Sequence, residues 1–153
     1  MNGNEDFKKA DQLGRDKFEK ILKEWGVTEY LFPRYSGAKN DVLWNSSPNT
    51  DKDASFVGEI KLRKGNLDKY PDHLLELSKY ESLMVAFSLG FLPYYIVLFD
   101  DGYILFNMLK IKVEDMDIRP TKSSRTTVGA DQSEYIRDAY YIPTKLGKVV
   151  YYE

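Results

Sequence analysis

The segment at residues 55–63, SFVGEIKLR, constrains the fold more than any other part of the sequence. Its composition predicts a strand, and successive side chains of a strand point to opposite faces. One face is apolar and consists of Phe56, Gly58, Ile60 and Leu62. The other face places the acid Glu59 beside the base Lys61. Because charged neighbours are ordinary on an exposed strand face, the pair is either a solvated surface or part of a polar site.

The composition limits the classes of protein that remain. A chain of 153 residues with 42% apolar and 30% charged residues predicts one globular domain spanning residues 1–153. The absence of cysteine excludes disulfides, thiolate metal sites and a cysteine nucleophile, and the single histidine, His73, argues against a histidine-rich zinc site. The net charge of −2 disfavours a protein that merely coats phosphate, although a basic groove beside acidic metal ligands stays open.

The sequence also predicts the cellular setting. It contains no apolar run of about 18 residues, so we expect no membrane span. The polar N-terminus lacks the apolar core of a secretion signal, which favours a cytoplasmic, intracellular protein. Whether a phage or a mobile element encodes it is left open.

The hydrophobic periodicity predicts seven segments in the order helix, strand, strand, helix, hairpin, loop and hairpin. The segments are 5–25, 39–45, 55–63, 73–91, 93–111, 119–139 and 140–153. The loop at 119–139 is polar and weakly patterned, and the last hairpin turns around Gly147. We expect Asp100 and Asp101 to serve the first hairpin turn and His73 to cap a helix or lie on the surface. This order predicts an α/β fold with a mixed central sheet flanked by helices.

Asp41 gives the Glu59 and Lys61 pair a partner. It lies in the apolar segment NDVLW, where a carboxylate is costly unless it is paired or bound to a cation. Eighteen residues separate it from Glu59, enough for a strand, a turn and a neighbouring strand, so the two acids can face each other about 5 Å apart. Mg²⁺ typically binds one or two carboxylates together with water and phosphate. Lys61 would then lie near an activated water and the charge that develops on a phosphate.

These residues resemble the motif of the PD-(D/E)XK nuclease superfamily. The resemblance rests on Asp41, the gap of eighteen residues and the run Glu59-Ile60-Lys61, with Asn40 where the family usually has proline. In the first helix, Glu19 follows Gly14 by five residues, which is similar to archaeal-type Holliday junction resolvases. The resemblance covers roughly residues 12–100.

The resemblance implies a restriction-endonuclease-like fold and a Mg²⁺ (or Mn²⁺) ion that serves the hydrolysis of DNA. It assigns the metal ligands to Asp41, Glu59 and the main-chain carbonyl of Ile60, with Glu19 binding directly or through water. Lys61 becomes the catalytic lysine. Many relatives cut as dimers, so a homodimer is one expected state.

Several basic residues are candidate DNA contacts. Lys79 matches the position at which the family's second helix often presents a lysine or glutamine to the site. The other candidates come from basic clusters along the chain and are Arg63, Lys64, Lys122 and Arg125.

Alternatives stay open from the sequence. Glu19 can pair with Arg15 one helical turn away, Asp41 can be a turn residue, and Glu59 with Lys61 can be a solvated face. At the level of function, the rivals are a catalytically inactive interaction module on the same fold and a module that only grips nucleic acid phosphate.

Overall fold

The computed structural model describes residues 3–33, 39–46, 54–124 and 134–153. The helices of these ranges are α1, Gly3–Glu24, and α2, Leu77–Ser88. The strands are β1 Tyr30–Leu31, β2 Val42–Asn45, β3 Ser55–Leu62, β4 Asp72–Glu76, β5 Leu92–Leu98, β6 Gly102–Asn107, β7 Asp117–Ser124, β8 Glu134–Pro143 and β9 Lys148–Tyr151. Neither helix combines the length and the apolar character that crossing a bilayer requires.

The main sheet is mixed and has six strands in the order β1-β2-β3-β5-β6-β9. Among the strands of the described ranges, only the central pair β3 and β5 is parallel, and the crossover between them contains β4 and α2. A second, antiparallel sheet has the order β4-β8-β7. The main sheet is therefore covered by α1 on one face and by α2 with the small sheet on the other. This arrangement confirms the predicted α/β class with a mixed central sheet flanked by helices.

The alternation predicted for β3 is confirmed by the two cores. Phe56, Ile60 and Leu62 pack towards the core that contains Phe18 of α1. Val57 points the other way, into the core under α2 and the small sheet. A Cβ atom on Gly58 would lie 2.7 Å from the Ile96 side chain and 2.8 Å from that of Val42, so the space is full without one. Glu59 and Lys61 accordingly point towards α2 and the small sheet.

Three sequence-based assignments are wrong. The segment 73–91 is not one helix, because it begins as β4 and becomes helical only at Leu77. The segment 119–139 is not a loop in its described parts, because β7 and β8 pair as antiparallel strands. The last strand, β9, pairs with β6 and not with β8, so no closing hairpin forms around Gly147.

The polar residues set aside from the site have structural roles. His73 was expected at a helix cap or on the surface, but it is a buried residue of β4, and its Nε2 lies 2.8 Å from Thr144 Oγ1. Asp100 and Asp101 lie in the turn between β5 and β6, which confirms the sequence-based assignment. Their carboxylates accept hydrogen bonds from the backbone N–H groups of Gly65 and Leu67, at 3.0 and 2.8 Å.

Candidate active site

A cavity of about 430 Å³ lies where β3 has no strand neighbour on one side. The pairing of β2 with β3 ends at Val42 and Gly58, so the edge of β3 is open beyond Gly58. Side chains from α1, β3, β4, α2 and β8 surround this opening. Because β2 begins only at Val42, opposite Gly58, the rest of β3 has a free edge on this side, and a recess forms there. Side chains from both faces of β3 line this recess.

Asp41 lies directly before β2 and covers the open edge. Its backbone N–H donates to Gly58 O at 3.0 Å, and its Oδ2 accepts the N–H of Ile60 at 2.8 Å. The N–H and C=O of one strand residue point to the same edge of the strand. The carbonyl of Ile60 is therefore directed to the edge that Asp41 occupies.

Glu59 is the most deeply buried acid of the cavity, with 6% of its surface exposed. Its Oε1 lies 3.1 Å from the Lys79 ammonium. Its Oε2 is buried and has no hydrogen-bond partner among the described residues. A buried oxygen of this kind is costly unless a proton or a cation satisfies it.

The pKa of the Glu59 carboxyl is raised to about 8: burial is the largest cause, the nearby Asp41 carboxyl adds to it, and Lys79 partly offsets both effects. The value reflects two acids sharing one low-dielectric recess. In that recess Glu59 is stable either as the neutral acid or as a carboxylate with additional positive charge beside it.

The two lysines near the acids differ in their surroundings. Burial disfavours the charged form of Lys79, but the adjacent Glu59 carboxylate outweighs burial, and the pKa of Lys79 is raised. Lys61 is exposed at the mouth of the cavity, yet desolvation on its cavity side and the neighbouring Arg63 lower the pKa of its ammonium. Lys79 is thus the counterion of Glu59, whereas Lys61 stands apart from that ion pair as a positive group at the cavity.

Glu19 is not brought to these acids. Its carboxylate accepts a hydrogen bond from Tyr30 and lies 3.9 Å from Lys23 Nζ, so it also does not pair with Arg15. Among the described side chains of α1, the acid that lines the cavity is Asp11, whose Oδ2 lies 3.3 Å from Arg15 Nε. Eight residues place Glu19 about 12 Å further along the helix axis, beyond the cavity.

Gly14 lies where α1 packs on β3. A Cβ atom at Gly14 would be in ordinary van der Waals contact with the strand, 3.5 Å from Cγ2 of Ile60. The signal for Asp11 was its position one turn before Gly14, a glycine inside a helical pattern. Sequence reasoning instead looked for the acid after that glycine.

The donor set fits Mg²⁺ with fewer acids than the sequence predicted. No group of three or more carboxylate, imidazole or thiol side chains with metal-binding geometry occurs in the described ranges. Asp41 and Glu59 provide two carboxylates, and Ile60 directs a carbonyl to the same edge. Mg²⁺ commonly keeps several waters and binds through one or two carboxylates, so these oxygens suffice.

The candidate DNA contacts differ in their position relative to the cavity. Arg63 and Lys79 line the cavity, whereas Lys64 is exposed after β3 and does not. The side chains of Lys122 and Arg125 lie outside the described part of the structure. Arg137 belongs to the basic C-terminal third of the sequence, and it reaches the cavity because its segment is the strand β8 and not the predicted loop.

The raised pKa of Glu59 predicts a pH-dependent stability in the absence of divalent metal. Between pH 4.5 and about 8 the folded protein binds a proton that the unfolded chain has released, so the free energy of unfolding falls as pH rises. The slope approaches about 1.4 kcal/mol per pH unit inside this range. Urea unfolding in EDTA measures the free energy of unfolding at each pH. It should fall with this slope in wild type but not in Glu59→Gln, and the same pH dependence in both proteins would contradict the raised pKa of Glu59.

Comparisons with known proteins support the fold. No family model matches the sequence, and no curated protein matches it. The structure is similar to that of Archaeoglobus fulgidus Hjc, a Holliday junction resolvase from an archaeal hyperthermophile. The TM-score is 0.56 and the sequence identity 14%, over 89% of this chain and 93% of the resolvase chain. At this identity the likeness establishes a shared fold.

Proposed function

We propose that this protein is a PD-(D/E)XK-type nuclease that uses Mg²⁺ or Mn²⁺ to hydrolyse phosphodiester bonds of DNA. The observation that carries the proposal is the buried Oε2 of Glu59, which has no donor in the described residues and lies beside Asp41. The nuclease fold of the resolvase neighbour supports the same reading. A homodimer remains a prediction.

Asp41, Glu59 and the Ile60 carbonyl would hold the ion. When bound, a divalent cation supplies positive charge for the phosphate and lowers the pKa of a coordinated water. Glu59 would then need no proton, because the cation compensates its buried charge. Lys79 would lose its role as the counterion of Glu59 and become free to contact a phosphate oxygen.

Lys61 would act on the phosphate and the attacking water. In hydrolysis, the water oxygen bonds to phosphorus, the P–O ester bond breaks and the departing oxygen takes up a proton. The Lys61 ammonium points from β3 towards the same side as Glu59, where it would donate hydrogen bonds to the water or to the phosphate oxygens. Its lowered pKa makes it a better proton donor than an ordinary surface lysine.

One observation favours a second candidate, a catalytically inactive nucleic-acid-binding or protein-interaction module. The ion pair between Lys79 and Glu59, at 3.1 Å, already places a cation at the buried acid. If that pair is permanent, the cavity holds no metal and the fold serves binding alone.

A cleavage assay separates the two candidates. Labelled linear, branched and single-stranded DNA should be cut in Mg²⁺ or Mn²⁺ and remain intact in EDTA. Retained DNA binding without cleavage in either metal would favour the inactive module and overturn the nuclease proposal.

A further inference from the structure

The acids of the cavity lie at its floor. Glu59 is 6% exposed, and beside it Tyr95 and Leu75 are each 2% exposed. The Tyr95 hydroxyl donates to Leu74 O at 2.7 Å, which fixes β5 to β4 below the opening. An ion held by Glu59 would lie inside the recess, because the acid has almost no outer surface. A phosphate that contacts this ion must therefore enter the recess as well.

The walls of the recess restrict what can enter. On one side the small sheet contributes Glu76 of β4 and Arg137 of β8, whose Nη2 lies 2.6 Å from Glu76 Oε1. Both side chains are about one third exposed, which places the pair at the rim. On the other side stands α1 with Asp11 and Gly14. The volume of about 430 Å³ lies in the range of pockets for single small molecules.

The lining has an apolar part that a phosphate alone would not need. Ile60 and Leu62 are partly exposed beside Gly14, on the α1 side of β3, and Leu74 is partly exposed on the side of the small sheet. These surfaces flank the polar floor. A nucleotide matches this division, because its base and sugar are largely apolar while its phosphate is charged.

The lining contains equal numbers of acidic and basic side chains. Four acids and four bases face the cavity: Asp11, Asp41, Glu59, Glu76, Lys61, Arg63, Lys79 and Arg137. A bound divalent cation would make the recess positive. An anionic nucleotide would therefore be attracted once the ion is in place.

We infer that the DNA strand cut at this site is unpaired at the scissile phosphate, as in a single strand, a flap or a frayed end, so that one nucleotide enters the recess. The inference rests on the proposed nuclease activity. A nucleotide held in a duplex keeps its base in the stack and cannot enter a pocket of this size until it is extruded. Arg137 is a positioning residue at the rim, where it is held by Glu76. Its guanidinium would donate hydrogen bonds to the phosphate next to the one that is cut.

The first test compares one labelled strand of fixed sequence in three forms in Mg²⁺: single-stranded, as a flap on a duplex, and fully paired with closed hairpin ends. We expect cuts to map to unpaired nucleotides, at least about tenfold faster than any cut in the paired form. Equal or faster cutting inside the paired form would overturn the inference and leave the nuclease proposal intact. Absence of metal-dependent cutting in all three forms would overturn both.

The second test addresses Arg137. Arg137→Gln should raise KM for the single strand about tenfold with a smaller change in kcat, since the arginine positions the strand and does not touch the reacting atoms. Arg119→Gln is the matched control, because Arg119 belongs to the same small sheet but pairs with Asp72 and Asp117 away from the recess. Equal KM values for the two variants, or a loss in kcat alone, would contradict the positioning role.

Discussion

Replacing Lys61 by alanine is expected to reduce DNA cleavage by about 10²- to 10³-fold while the fold stays intact. Lys61 is exposed and belongs to neither hydrophobic core, so its removal leaves no cavity. Its ammonium, with a lowered pKa, is the positive group of β3 that stands free of the Glu59 ion pair. Single-turnover cleavage in saturating Mg²⁺, together with a thermal melt, measures the two effects separately.

Lys110→Ala is the control for the Lys61 substitution. Lys110 is also an exposed lysine, but it follows β6 and does not line the cavity. The Lys110→Ala variant should cut DNA at the wild-type rate. A loss of cleavage confined to Lys61→Ala then identifies a local role of Lys61 and not a general effect of net charge. Cleavage by Lys61→Ala at the wild-type rate would make Lys61 a solvated residue of the strand face.

Substituting Glu59 by glutamine is expected to remove both metal binding and cleavage. Glutamine keeps the shape of the side chain but cannot supply the anionic oxygen that a hard cation requires. The neutral amide avoids the cost of a buried charge, so the metal-free variant should be at least as stable as wild type above pH 8. Titration calorimetry should show that Glu59→Gln binds Mn²⁺ at least about a hundredfold more weakly than wild type. Because the variant is expected to remain folded, its loss of cleavage could not be attributed to unfolding.

Glu19→Gln is the matched control for Glu59→Gln. Both changes neutralise a glutamate, but Glu19 interacts with Lys23 and Tyr30, away from the cavity. We expect it to bind Mn²⁺ and to cut DNA within about twofold of wild type. Loss of metal binding in Glu19→Gln would restore the three-acid site that the sequence predicted.

The part of the site that is local in sequence could be predicted. Alternation along β3 places Glu59 and Lys61 on one face whatever the remaining chain does, and eighteen residues allow few ways to bring Asp41 to the neighbouring strand. The helix acid could not be chosen in this way. Whether Asp11 or Glu19 reaches the cavity depends on the rotation and axial position of α1 on the sheet, which the packing of its buried residues, such as Phe18 and Leu22, fixes.

The small sheet was missed for a different reason. Strand β7 is polar and exposed where its side chains are described, so its period-two pattern is weak, and β4 precedes α2 without a turn signal. Strand β8 is richer in aromatic and aliphatic residues, but the predicted boundary at residue 139 divided it between a loop and a hairpin. The partner of β9 is β6, a long-range choice that local patterns do not encode. These elements carry Glu76 and Arg137, and so the rim of the cavity was harder to predict than its floor.

A crystal structure with Mn²⁺, read by anomalous scattering, tests the metal site most directly. We predict one ion at about 2.0–2.2 Å from the carboxylates of Asp41 and Glu59 and from the carbonyl of Ile60. The ammonium of Lys79 should have moved away from Glu59. Crystals in saturating Mn²⁺ with no ion between Asp41 and Glu59, and with Lys79 still paired to Glu59, would contradict the account.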